Sequence, residues 1–129
     1  MARFAGTPAY AALQQEWQAL RDYRAAWAGA PYPPVFVTVD ALLRCQGQVL
    51  LVQRGRAPGK GLWALPGGFV EPNDTLWQSC LRELQEETHC TLPEAHLRTA
   101  LRGQRIFDHP QRSLRGRVIT QAYFFDLGQ

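Results

Sequence analysis

GGFVEPNDTLWQSCLRELQEETHC, residues 67–90, is the stretch of sequence that decides the fold. It begins with a glycine turn and continues into a predicted helix, on which the carboxylates of Glu83, Glu86 and Glu87 fall within an arc of roughly 100°. Like charges one turn apart destabilise a helix by about 0.2–0.5 kcal/mol per pair. A divalent cation relieves that repulsion, and oxygen ligands without clustered Cys or His side chains favour Mg²⁺ or Mn²⁺.

Three further features favour a metal site over a solvated acidic helix face, which is the commoner structure of such a charge run. Arg82 lies within the acidic run, where it can orient a carboxylate. Gly67-Gly68 lets backbone carbonyls approach the helix closely. The rest of the helix is apolar over an arc of about 140° next to the acidic stripe. This apolar face consists of Leu76, Trp77, Cys80, Leu81 and Leu84.

The spacing of these residues resembles the signature of the Nudix family, hydrolases that act on nucleoside diphosphates linked to another group. The matching positions are Gly68-x5-Asp74-x7-Arg82-Glu83-Leu84-x-Glu86-Glu87-x-His89-Cys90. Three positions depart from the family pattern: Asp74 replaces Glu, His89 replaces Gly, and Cys90 takes the final apolar place. His89 is therefore expected to close the helix with positive φ, which His tolerates less well than Gly.

The resemblance implies that a metal-activated water attacks one phosphorus of a pyrophosphate. It makes Glu83 and Glu87 the primary ligands of Mg²⁺ (or Mn²⁺), assisted by the carbonyl of Gly67. The spacing of four residues independently supports pairing these two carboxylates. Glu86 is either a third ligand or the partner of Arg82, and the sequence leaves both open.

The general base and the phosphate contacts are the remaining expected parts of the site. Glu86 and Asp108 are the candidates for the base within the chain, and a residue beyond Gln129 is the alternative. Arg54, Arg56 and Arg117 are expected to contact phosphates, since arginines gather before the glycine turn and in the C-terminal third. No basic stripe interleaved with aromatic residues is present, so nucleic acid is not an expected partner.

Composition restricts the class of protein. A chain of 129 residues with 46% hydrophobic and 19% charged residues is typical of one soluble globular domain, although it is small for a complete enzyme of this class. The sequence has no run of 18 apolar residues, so a membrane span is not expected. The N-terminus also lacks the apolar core of a secretory signal. The three cysteines form no CxxC motif and are expected to be free thiols, which suits a cytoplasmic location.

Hydrophobic periodicity predicts an α/β fold in the order α, β-β, α, β-β. Residues 8–28 are predicted to form an amphipathic helix with Thr7 as N-cap and Pro8 as first residue. This helix and a Pro-rich linker form the expected segment 1–34, and the Nudix domain is expected at 35–129. The predicted strands are 35–43 and 48–53, as a hairpin buried on both faces, followed by 97–107 and 117–127. Trp63 is expected in the core.

This element order agrees with the mixed sheet and α/β/α sandwich that the Nudix resemblance implies. A more specific resemblance covers nearly the whole chain. The segments that carry it are PYPPVFVTVDALL, PGKGLWALPGGFV and FDHPQRSLRGRVITQAYFF. They resemble the Nudix half of bifunctional nicotinamide-mononucleotide adenylyltransferase/ADP-ribose pyrophosphatases. This implies hydrolysis of ADP-ribose to AMP and ribose 5-phosphate in NAD metabolism, an upstream nucleotidyltransferase domain, and a chain that lacks the last strand and helix of a Nudix domain.

Two alternatives remain open. DHPQRSLRGRVIT also resembles the ADP-ribose-sensing domains of Nudix-type transcriptional regulators, which bind without hydrolysis. The second alternative is a Nudix hydrolase for another nucleotide, such as NADH or a nucleoside triphosphate. The aromatic N-terminal helix and the basic C-terminal segment are compatible with a homodimer.

Overall fold

A computed structural model describes residues 7–128 of the protein. Its helices are α1 (Pro8–Ala26), α2 (Leu76–Thr88) and α3 (Glu94–Ala100). Its strands are β1 (Val35–Cys45), β2 (Gln48–Val49), β3 (Val52–Gln53), β4 (Trp63–Ala64), β5 (Gly67–Phe69), β6 (Leu101–Phe107) and β7 (Arg117–Asp126). Within this part of the chain, none of the helices is both long and apolar enough to cross a membrane.

A five-stranded mixed sheet forms the centre of the domain, as predicted. Its order is β2-β1-β7-β6, and β5 pairs with β1 on the same edge as β2, away from β7. β1 and β7 run parallel over their whole length, from Val35 opposite Arg117 to Arg44 opposite Asp126. β5 runs antiparallel to β1 and places Gly67 opposite Asp40. Pairing with β1 therefore places the glycine turn beside the middle of the sheet.

The hydrophobic core lies between one face of this sheet and helices α2 and α3. Val39 and Phe125 contribute fully buried side chains from β1 and β7. They pack with Cys80 and Leu84 of α2, each 1% exposed. Side chains of this size each stabilise the fold by roughly 1.5–3 kcal/mol when fully buried. This packing fixes the rotation of α2, and with it the direction of the acidic stripe.

Both long helices begin with side-chain caps. Thr75 Oγ1 accepts from the Gln78 amide at 3.1 Å, and Gln78 Oε1 accepts from the Thr75 amide at 2.8 Å, which forms a capping box. Thr7 is the N-cap of α1 and Pro8 its first residue, as predicted, but the helix ends at Ala26 instead of residue 28. Leu20 is the buried residue of α1.

Four predictions of secondary structure and burial are wrong. The predicted strand 48–53 is interrupted, because β2 pairs with β1 whereas β3 pairs with β4 in a separate two-stranded sheet. β2 is exposed, so the hairpin is not buried on both faces. Residues 97–100 belong to α3, where the i,i+3 pair Leu97 and Ala100 is buried. Trp63 is 65% exposed, because β4 lies outside the main sheet.

Candidate functional site

A pair of carboxylates at the edge of α2 faces the glycine turn. Glu83 and Glu87 lie one helical turn apart and share a hydrogen bond. Although much of Glu87 is exposed, desolvation of its carboxylate and the neighbouring Glu83 raise its pKa to about 7. The backbone of Gly67 and the charge of Arg54 oppose that rise. A bound cation would relieve the repulsion between these two neighbouring carboxylates.

The two glycines leave no room for side chains beside these carboxylates. A Cβ on Gly68 would lie 2.6 Å from Oε1 of Glu83. A Cβ on Gly67 would lie 2.1 Å from the Val39 carbonyl oxygen and 2.3 Å from Oδ1 of Asp40. The backbone of β5 therefore approaches the carboxylates of α2 and β1 more closely than any other residue type allows.

Arg82 contacts the carboxylates of Asp74, Glu83 and Glu86. Its Nε donates to Asp74 Oδ2 at 3.2 Å, and its Nη1 lies 3.4 Å from Glu83 Oε1 and 3.6 Å from Glu86 Oε2. Burial lowers the pKa of Arg82, but the hydrogen bond to Asp74 and the charges of the two glutamates outweigh it and raise that pKa. Its Nη2 is buried and has no hydrogen-bond partner among residues 7–128.

Of the two roles considered for Glu86, the structure places it beside Arg82. The Glu86 side chain is 59% exposed and contacts Nη1 of Arg82, the same atom that Glu83 contacts. In the described part of the chain, no three His, Cys, Asp or Glu side chains converge into a metal-binding group. The oxygen chemistry of Glu83 and Glu87, their separation by one helical turn and the bare glycine backbone nevertheless fit a hard divalent cation.

His89 ends α2 in the left-handed conformation, with φ 55° and ψ 29°. Its backbone amide donates to the Gln85 carbonyl at 3.0 Å. The expected positive φ at this position is therefore confirmed, and His89 acts as the helix terminus.

Three arginines line a cavity of about 310 Å³ next to the glycine turn. Arg54, Arg112 and Arg115 line it together with Asp40 and the glycine turn. Desolvation raises the pKa of Asp40, while Arg112 and Arg115 oppose that rise. Burial lowers the pKa of Arg115, and the neighbouring arginines lower it further. Mutually repelling cations beside a carboxylate pair suit a ligand that carries several negative charges together with a metal ion.

Aromatic rings hold Arg115 in this position. Its guanidinium carbon lies 5.0 Å from the ring centroid of Phe69 and 6.0 Å from that of Tyr23. The two rings stack on each other with centroids 6.3 Å apart. Tyr23 belongs to α1, so the N-terminal helix helps to orient a residue of the cavity.

The structure brings two of the three predicted arginines to the site. Arg54 and Arg56 line a neighbouring cavity of about 370 Å³ together with Glu87. Arg117 lines neither cavity, and its Nη1 donates to the carbonyl oxygen of Asp108 on an exposed loop. Arg112 and Arg115, on the loop before β7, line the arginine cavity where Arg117 was expected.

Sequence reasoning missed Asp40, Arg112 and Arg115. The signal for Asp40 was available: it is a carboxylate in the middle of the otherwise apolar strand VFVTVDALL. No comparable signal distinguishes the two arginines from their neighbours. Arg112 is held in the cavity by a hydrogen bond from its Nη1 to Thr120 Oγ1 at 2.7 Å. Arg115 is held there by its contacts with the aromatic rings of Phe69 and Tyr23.

This combination of a mixed sheet, an acidic helix edge and a glycine turn defines a Nudix domain. Residues 32–129 match the NUDIX domain family, and the chain belongs to that family.

Two proteins that are similar to this chain, one in sequence and one in structure, share a name. The chain is 36% identical to an ADP-ribose pyrophosphatase of Methanocaldococcus jannaschii over 91 residues, which cover 70% of this chain and 50% of the relative. It is also similar to a bifunctional NMN adenylyltransferase/ADP ribose pyrophosphatase of Francisella tularensis, solved with AMP and a manganese ion. That match has 43% identity, a TM-score of 0.93, and covers 99% of this chain and 38% of that one.

A third match is another NUDIX domain of known structure. The NUDIX domain of Shewanella oneidensis NrtR, solved with ADP ribose, is 30% identical with a TM-score of 0.61. The match covers 84% of this chain and 71% of that one. The chain thus spans about half the length, or less, of the two pyrophosphatase relatives.

Proposed function

We propose that this Nudix domain hydrolyses the pyrophosphate of ADP-ribose to AMP and ribose 5-phosphate, with Mg²⁺ or Mn²⁺ as cofactor. The observation that carries the proposal is a pair of adjoining cavities around a bare glycine backbone. Arg54 lines both of them, with Glu87 in one and with Arg112 and Arg115 in the other. The names of two similar proteins include ADP-ribose pyrophosphatase, and one of them was solved with AMP and manganese.

Glu83 and Glu87 are the residues that would hold the cation, together with the backbone of Gly67. A bound divalent ion lowers the pKa of a water molecule and offsets charge on the leaving phosphate. Arg82 keeps Glu83 in position through the contact of 3.4 Å. Glu86 interacts with Arg82, and we assign it the second role considered for it, orientation of that arginine, instead of metal binding.

The arginines of the cavity would bind the diphosphate. Arg112 is anchored by Thr120 and Arg115 by two aromatic rings, so both are held before a ligand arrives. Prepositioned cations lose little side-chain freedom on binding and stabilise charge that develops on phosphate oxygens. Arg56 extends the same surface beside Glu87.

Asp40 is the carboxylate best placed in the cavity to accept a proton. Asp108 lies on an exposed loop, and Glu86 points to Arg82. Desolvation, which raises the pKa of Asp40, makes its carboxylate a better base than one in water. We therefore propose Asp40 as the general base, in preference to the two candidates from the sequence.

Product analysis tests the proposed reaction. The protein is incubated with ADP-ribose and Mg²⁺, and AMP is quantified by chromatography, with chelator as the metal-free control. Glu87→Gln should lower kcat on the order of 100-fold or more, because it removes a charged ligand without changing shape. Gln85→Ala, an exposed position on the same helix, should leave turnover unchanged. Undiminished turnover by Glu87→Gln would refute the ligand assignment.

A second candidate function is ADP-ribose sensing without hydrolysis. The similarity to the NrtR domain solved with ADP ribose favours it. Calorimetry that shows ADP-ribose binding, with no AMP formed over hours, would support this candidate against the first. A panel containing NADH and nucleoside triphosphates would identify a hydrolase for another nucleotide. The role in NAD metabolism, the upstream nucleotidyltransferase domain, the homodimer, the cytoplasmic location and the division at residues 34 and 35 stay predictions.

A further inference from the structure

A cavity of about 690 Å³ lies beside the proposed diphosphate site and is walled by the N-terminal helix. Leu13, Trp17 and Leu20 of α1 form one side of it. Leu62 and Leu114 form the other side, from the loops before β4 and β7. A cavity of this volume is within the range of small-molecule sites, and its wall is mainly apolar with an aromatic ring.

The apolar cavity and the arginine cavity are continuous. Arg112, Ser113 and Arg115 line both of them. A molecule whose phosphates contact the two arginines would therefore extend into the apolar cavity on one side and toward Glu87 on the other. The charge at the shared boundary selects an anionic group, and the apolar walls select a flat, uncharged one.

Helix α1 is fastened to the loop that closes this cavity. Both carboxylate oxygens of Glu16 accept from the Gly59 amide at 2.9 Å, and Oε1 also accepts from the Lys60 amide at 3.3 Å. The same loop carries Arg54, whose Nε donates to the Pro58 carbonyl at 2.7 Å. The cavity is thus a built part of the domain, in which α1 and the arginine loop hold each other.

Trp17 has a surface available for a ligand. Its side chain is 58% exposed although it lines a cavity. Trp27, the C-cap of the same helix, packs its ring against Phe36, with centroids 5.1 Å apart, and Tyr23 packs against the same ring at 5.6 Å. The apolar stripe of α1 therefore divides into a C-terminal part that packs on the sheet and a middle part that faces the cavity.

We infer that this cavity binds the nucleoside end of the diphosphate substrate, with Trp17 as the surface on which the base stacks. The N-terminal helix, which precedes the residues matched by the NUDIX family, would then determine specificity for nucleotides with a base at that end. The inference rests on the proposed function for its choice of ligand class. Base stacking on an aromatic side chain tolerates any base, so the cavity alone favours nucleotides over phosphosugars.

Binding of AMP and of inorganic pyrophosphate to the 129-residue chain tests this inference, because only AMP has a base. Trp17→Ala should weaken AMP binding about tenfold, measured by calorimetry, and leave pyrophosphate binding unchanged. Trp17→Phe keeps an aromatic surface and should remain within about threefold of the wild type. Trp27→Ala is the matched control, because it removes the tryptophan at the C-cap of α1, which does not line the cavity, and should leave AMP affinity unchanged.

Tryptophan fluorescence supplies a second readout. The chain contains four tryptophans, and AMP should quench the emission of the wild type but not that of Trp17→Phe. AMP affinity that is unchanged in Trp17→Ala, or that falls equally with pyrophosphate affinity, would overturn the inference. A drop from dimer to monomer in Trp17→Ala with unchanged AMP affinity, measured by light scattering, would assign the cavity to a subunit interface instead.

The two proposals fail separately. A wild-type protein that forms no AMP from ADP-ribose contradicts the proposed hydrolysis, yet the AMP titrations still show whether the base lies on Trp17. Hydrolysis that proceeds normally in Trp17→Ala, with an unchanged KM for ADP-ribose, contradicts the assignment of the cavity alone.

Discussion

The two faces of the central sheet have opposite chemistry, although the same strands form both. On one face of β1, Val39 and Ala41 are 0% and 1% exposed and pack under α2. On the other face, Thr38 and Asp40 lie in the arginine cavity. Because side chains alternate along a strand, β1 supplies the core and the site at successive positions. We call these the core face and the cleft face.

The difference shows how a buried polar face is stabilised. Thr38 and Thr120 lie opposite each other in the parallel pair, and their hydroxyl oxygens are 2.7 Å apart. Arg112 also donates to Thr120. Buried hydroxyls that are satisfied by each other cost little, so the cleft face can be polar without destabilising the sheet. We therefore expect core-face changes to act on stability and cleft-face changes on binding.

The largest expected effect belongs to the core face. Phe125→Ala removes a fully buried ring that packs against Trp77, with centroids 5.7 Å apart, and should lower the free energy of unfolding by about 3–5 kcal/mol. Urea denaturation measures it. Phe124→Ala, the adjacent half-buried residue on the cleft face, is the control and should cost clearly less. Equal losses would show that the two faces do not differ in packing.

A smaller effect is expected on the cleft face. Arg115→Gln removes a cation that would contact the diphosphate, so KM for ADP-ribose should rise about 10- to 100-fold. The free energy of unfolding should change by less than about 1 kcal/mol, since the lost contacts with Phe69 and Tyr23 are offset by relief of repulsion from the other arginines. Arg117→Gln is the control outside the cavity. A large loss of stability with unchanged KM would assign Arg115 a structural role.

The smallest effect concerns the thiol of Cys80 on the core face. Burial raises its pKa to about 12, and the charges of Asp40 and Glu83 act in the same direction. The raised pKa keeps the thiol protonated at pH 8, and the protonated form is unreactive. Mass spectrometry after iodoacetamide treatment of the native protein should show modification of the half-buried Cys45 and Cys90 before Cys80. Labelling of Cys80 at the rate of Cys45 would show that α2 opens readily.

Much of the core face could be predicted from the sequence. The apolar arc of α2 and the alternation in β7 both result from hydrophobic periodicity, which follows from local backbone geometry. The prediction of a strand at 97–100 was wrong because so short a segment has too little periodicity to distinguish a helix from a strand, and these residues belong to α3, whose N-cap is Pro93. Trp63 was wrong because periodicity does not reveal which sheet a short strand joins.

By itself, the sequence determined the family of the fold and the acidic edge of α2, because a 3.6-residue period and fixed spacing place Glu83 and Glu87 together. Only the tertiary structure decided which arginines line the cavities beside Glu87 and the glycine turn. Arg112 and Arg115 reach the cavity through contacts with Thr120, Phe69 and Tyr23, three residues from separate elements. Such positions depend on strand register and on the docking of α1, which are long-range properties that local spacing does not contain.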